Sequence, residues 1–88
     1  MHKFFEVKTI EEHASGINQM LKMNKDKLVT VSDDCTMKFW NIQTMKVEDT
    51  HETETITCID VTGPKQNLLV AGCHSGNFLL VRSRILGK

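Results

Sequence analysis

Leu28–Asn41 reads LVTVSDDCTMKFWN, and this stretch decides the fold. Leu28, Val29, Thr30 and Val31 are mostly β-branched and free of Gly and Pro, the composition of a strand. Ser32, Asp33, Asp34 and Cys35 follow. Short side-chain oxygens in such a run bond the neighbouring backbone and turn the chain. Thr36–Trp40 then alternates with period two, placing Met37 and Phe39 on one side and Lys38 and Trp40 on the other. Strand, polar turn and strand predict an antiparallel hairpin. A buried Trp40 needs an acceptor for its indole N–H, and Thr30 and Asp34 can supply oxygens.

Working outward, Phe4–Ile10 alternates as a strand, and Glu11–Gly16 is a polar loop around His13. Ile17–Met23 is expected as a strand, although its Met and Leu content leaves a helix open. Asn24–Lys27 is a turn by composition. After the hairpin, Met45–Asp49 is a weaker strand and Thr50–Thr55 a polar loop containing His51. The remaining expectations are strands at Ile56–Val61, Leu68–Ala71 and Asn77–Arg82. Turns at Thr62–Asn67 and Gly72–Gly76 separate them, and Ser83–Lys88 forms a tail. The order repeats: Leu28–Thr30 recurs 41 residues on as Leu69–Ala71, Ile17 recurs 39 on as Ile56, and His13 recurs 38 on as His51.

LVTVSDDCTMKFWN resembles the core of a WD repeat, the blade unit of a β-propeller. The family's pattern is a strand ending in Ser, an Asp in the turn, Thr, alternating apolar residues, then Trp-Asp. Here these are Ser32, Asp34, Thr36, Met37, Phe39, Trp40 and, in place of the last Asp, Asn41. Upstream the family's Gly-His pair is Glu12-His13. A recurrence of about 40–45 residues with four strands per unit fits the same family. The resemblance implies an all-β chain of two four-stranded antiparallel blades, a partial propeller over 1–88. It divides into an outer strand 4–10, a first repeat at about 13–41, a second at about 45–82, and a tail 83–88.

The resemblance further implies a hydrogen-bonded set of His13, Thr30, Asp34 and Trp40. The chemistry of the four is compatible with a closed relay: one indole donor, one hydroxyl that both gives and takes, one two-sided imidazole and one acceptor-only carboxylate. A hydroxyl, an imidazole and a carboxylate also make up a nucleophilic triad. A mid-strand hydroxyl beside Trp, without oxyanion donors, points to structure instead, and no catalytic residue is expected. In the second repeat His51 is retained, while Ala71, Ser75 and Val81 stand for Thr30, Asp34 and Trp40, so no network is expected there. The resemblance places the working surface on the rim that carries the network, with Ser15, Asp33, Thr55 and His74 as candidate partner-binding positions.

Equal numbers of basic and acidic side chains give zero net charge. That disfavours a basic nucleic-acid surface and a polybasic membrane anchor. No apolar run approaches the roughly 20 residues of a membrane span. Met1–Phe5 lacks a signal-peptide apolar region, and Cys35, Cys58 and Cys73 have no paired spacing, so a reducing, intracellular, cytoplasmic setting is expected. Cys35, Cys73 and His74 could be imagined as a metal site, but zinc sites announce themselves with two close ligand pairs. No metal or cofactor is expected. The reading is a protein–protein scaffold, with a nucleic-acid-binding face or that metal site as the alternatives. Two blades do not close a ring of about 4–8. The chain is therefore expected to belong to a larger propeller, to assemble with copies of itself, or to dock on other blades.

Overall fold

The computed structural model describes residues 9–63 and 68–82. Most of the strand expected at 4–10, part of the turn at 62–67 and the tail 83–88 lie outside the described residues; Thr9 and Ile10 are described and are not in a strand. The seven described strands are β1 (Ile17–Lys22), β2 (Lys27–Ser32), β3 (Thr36–Asn41), β4 (Lys46–Glu52), β5 (Ile56–Thr62), β6 (Leu68–Cys73) and β7 (Phe78–Arg82). They form one four-stranded sheet ordered β1-β2-β3-β4 and one of three described strands, β5-β6-β7. All pairings are antiparallel.

The β2–β3 hairpin stands where its residues predict, with Val29 opposite Phe39 and Leu28 opposite Trp40. Its turn closes through Cys35 N–H donating to the Ser32 carbonyl at 3.2 Å. Cys35 adopts a left-handed φ of 67°, the turn-plus-left-handed-residue geometry that joins strands with the correct twist. The matching residue of the β6–β7 turn is Gly76, at φ 98°. An L side chain in this region costs roughly 1–2 kcal/mol that glycine avoids. Cys35→Gly is therefore expected to leave the fold intact and raise its stability by up to about 1 kcal/mol, after the greater unfolded-state entropy of glycine is subtracted. Urea unfolding followed by Trp40 fluorescence checks this; a lowered midpoint contradicts it.

Two boundaries differ from expectation by more than one residue. β4 continues past Asp49 to Glu52, so His51 lies in a strand and not in the polar loop. β3 dictates this: Thr36 and Met37 need backbone partners, and Glu52 and His51 provide them. Likewise Gly72 and Cys73 extend β6, because β5 pairs as far as Ile56 opposite Cys73. The predicted strand at Ile17–Met23 is β1, not a helix.

The core lies between the sheets. Val29, Val31, Met37 and Phe39 from the first sheet meet Ile56, Ile59, Leu69 and Ala71 from the second, all buried. Polar side chains stitch the same interface. The Gln19 amide donates to the Ile59 carbonyl at 3.1 Å and accepts the Ile59 N–H at 2.7 Å. In effect it supplies β5 with one peptide group of a further strand.

Candidate functional site

His13, from the loop before β1, reaches over the end of the first sheet. Its Nε2 lies 2.6 Å from Thr30 Oγ1 and its Nδ1 3.0 Å from Asp34 Oδ2. Trp40 donates its indole N–H to Thr30 Oγ1 at 2.9 Å. The structure therefore brings all four residues into one chain of contacts, although Trp40 bonds Thr30 and not Asp34. With a neutral imidazole one assignment satisfies every partner: Nδ1–H donates to the Asp34 carboxylate, Thr30 Oγ1 accepts from Trp40, and the Thr30 proton goes to His13 Nε2.

Asp34 gathers more donors than its sequence position suggests. Besides His13 it accepts from the Ala14 N–H (2.9 Å), the Thr36 N–H (2.9 Å) and the Thr36 hydroxyl (2.5 Å). Burial works to raise its pKa. The Thr36 hydroxyl, the Ala14 N–H, His13 and the Thr36 N–H together outweigh burial and hold the carboxyl well below the ordinary 3.8. Thr36, absent from the sequence-based set, is thus its fifth member. The Asp-x-Thr spacing was the available signal, since a side chain bonding the backbone two residues on is an Asx turn.

The order hydroxyl–imidazole–carboxylate has the connectivity of a nucleophilic triad. Chemically it is closed. Thr30 is 1% exposed, and one lone pair of its oxygen is already engaged by Trp40. The backbone seals the same joint: Asp33 N–H donates to the Gly16 carbonyl at 3.1 Å and Ser32 Oγ to the Ser15 carbonyl at 3.1 Å.

The second sheet corrects one expectation. His51 does not take the place of His13; it is exposed on β4, 3.0 Å from Asp49 and edge-on to Phe39. A smaller polar cluster nevertheless forms, from Glu54. Its carboxylate accepts from the Ser75 hydroxyl and from Asn77 Nδ2 (2.9 Å), the residues matching Asp34 and Thr36. These two donors lower the Glu54 pKa. His74 N–H donates to the Thr55 carbonyl at 2.9 Å, as Asp33 does to Gly16. Sequence reasoning missed Glu54 because it looked for a second histidine.

The four rim positions fall at one end of the two sheets. Ser15, Asp33 and His74 are exposed and Thr55 is half-buried. Asn18 couples the sheets there, its amide donating to Asp33 Oδ1 at 2.8 Å and to the Ile56 carbonyl at 2.9 Å. Carboxylates gather at this rim: Glu11, Glu12, Asp33, Asp34, Glu52 and Glu54. Lys22, Lys25, Lys27 and Lys46 lie at the opposite end together with Asp26 and Glu48, the latter paired with Lys27. Zero net charge conceals this polarity.

Cys73 is buried and Cys35 exposed, and no group of three His, Cys, Asp or Glu side chains among the described residues is placed to hold a metal. Burial pushes the Cys73 thiol up, with Glu54 and Cys58 adding to it. No helix among the described residues is long and apolar enough to cross a membrane.

Comparison with known proteins places these features. The family model described as "WD domain, G-beta repeat" matches residues 4–41. The nuclear distribution proteins nudF of Aspergillus flavus and Aspergillus oryzae are each 30% identical over 70 residues, covering 76% of this chain. The chain spans only 15% of the length of those relatives. Among solved structures, the computationally designed Ika8 protein superposes with a TM-score of 0.71 at 23% identity, over 85% of this chain and 23% of its own. The designed Ika4 protein gives a TM-score of 0.71 at 24% identity, over 84% and 45%. At these identities the two designs speak to fold alone.

Proposed function

We propose, for a chain that belongs to the WD-repeat family, a non-catalytic role as a scaffold for protein–protein interaction. WD repeats generally mediate such contacts; fold alone does not name the partner. The observation that carries the reading is the lock on the rim. His13, Asp34 and Thr36 tie the loop before β1 to the β2–β3 turn. A loop so held offers exposed Ser15 and Asp33 to a partner without an ordering cost at each encounter. In this reading the His13–Thr30–Asp34–Trp40 set is structural, and Ser15, Asp33, Thr55 and His74 make the contacts.

Nucleic acid is the weaker reading, because the rim carries carboxylates and phosphate contact needs Lys and Arg. A reducing cytoplasmic setting accords with three free thiols. The test is affinity capture from native extract with the wild-type chain and with Asp33→Ala/His74→Ala. The variant is expected to lose the captured protein while keeping its circular dichroism spectrum and unfolding midpoint. Unchanged capture excludes the rim as the contact surface.

A further inference from the structure

Each sheet has one face in the core and one facing away. The two outward faces are related to the two inward ones residue by residue. On the first sheet the inward Val29, Val31, Met37 and Phe39 correspond, 41 positions on, to Val70, Gly72, Phe78 and Leu80, which lie on the outward face of the second sheet. Conversely, the inward Ile56, Ile59, Leu69 and Ala71 of the second sheet correspond to Ile17, Met20, Leu28 and Thr30 on the outward face of the first. The register supports the match: Ile17 opposes Ser32 as Ile56 opposes Cys73, with a bulge following in each case.

The molecule thus presents, on its two outer sides, the positions that match by repeat the two halves of the interface between its sheets. Both halves are apolar and open. Phe78 is 73% and Leu80 62% exposed on one, and Met20 is 54% exposed on the other. The first sheet's outer face holds a groove of about 250 Å³, lined by Ile17, Met20, Leu28, Trp40, Ile42 and Met45 among others. Exposed apolar faces of this kind mark contact sites.

We infer that the outer face of the second sheet in one copy seats on the outer face of the first sheet in another copy, head to tail, reproducing the internal sheet-to-sheet interface. The occupant is a second copy because this chain carries both repeat-matched faces, and its internal sheet-to-sheet interface is the template for their contact. The arrangement is heterologous: the two sides of the contact are different surfaces, so copies add head to tail, each leaving one face of each type open unless the rotation closes a ring. This goes beyond the rim reading and stands apart from it, since the faces lie on the flanks of the sheets and the rim at their ends.

Sedimentation velocity across a concentration series tests the inference. The wild-type 88-residue chain is expected to show mass rising with concentration. Phe78→Asp destroys the donor face and Met20→Asp the receiving face, so each alone is expected to sediment as a single chain. Mixed in equal amounts, they are expected to form a complex of one copy of each, because the Met20→Asp chain retains its second-sheet face and the Phe78→Asp chain its first-sheet face. Both positions are exposed, and circular dichroism confirms folding; Leu80→Asp and Ile17→Asp serve if either variant fails to fold. A wild-type chain that stays single at every concentration overturns the inference and leaves the faces to repeats of a different chain. Association that survives in either single variant, or a mixture that stays monomeric, overturns the head-to-tail assignment.

Discussion

Phe39→Ala is expected to lower the unfolding free energy by about 3–5 kcal/mol, the range for removing a fully buried aromatic ring. Phe39 is 0% exposed between the sheets, beside Met37, Val29 and Val31. Single small domains are stable by roughly 5–15 kcal/mol, so a chain this short, at the low end of that range, is left close to unfolded at room temperature. Leu80, the residue at the matching position of the second sheet, provides the contrast. It is 62% exposed, and Leu80→Ala is expected to change stability by less than about 0.5 kcal/mol at concentrations where the chain is single. Urea denaturation of both variants, read by Trp40 fluorescence, checks the pair. Equal losses would show that the second sheet's outer face is already covered.

Asp34→Ala carries the second large effect, a loss of about 2–4 kcal/mol. Truncation strands the His13 Nδ1–H and the N–H groups of Ala14 and Thr36, and each unsatisfied donor costs about 1–3 kcal/mol where water cannot replace the acceptor. Water reaches Ala14, at the exposed end of the cluster, which keeps the sum below the full count of bonds. The same carboxylate imposes a pH dependence. Its folded pKa is depressed below the ordinary 3.8, so its stabilisation is complete above the unfolded value and is lost as pH falls through the folded one. The wild-type chain should therefore lose stability progressively below about pH 4. Asp34→Ala should start lower and fall less steeply over that window. Thermal unfolding at a series of pH values measures both, and parallel curves for the two proteins would disprove the assignment.

The relation between residues and structure is clearest at Leu28–Asn41. Alternation fixes which side of each strand is apolar, and the Ser-Asp-Asp-Cys run turns the chain without any distant help. Both are local properties, so the hairpin follows from the residues themselves; that Trp40 bonds Thr30 and not Asp34 was decided by the fold. Strand ends are less legible. Nothing between Thr50 and Glu52 favours a strand; those residues are recruited by the unpaired backbone of β3. Glu54 was missed for a related reason. Its role depends on where the β6–β7 turn comes to rest, and a carboxylate there looks like any solvated loop residue until Ser75 and Asn77 are seen to face it.

By itself the sequence determined that this is an all-β chain built on a repeat, with a hairpin and a loop histidine that the WD pattern links. Only the tertiary structure decided which face of each sheet is buried, because both faces of both sheets are apolar enough to serve. Burial is settled by what lies across the gap: Phe39 shares one buried cluster with Leu69 and Ala71 of the opposing sheet, whereas the matching Leu80 is exposed on the outward face.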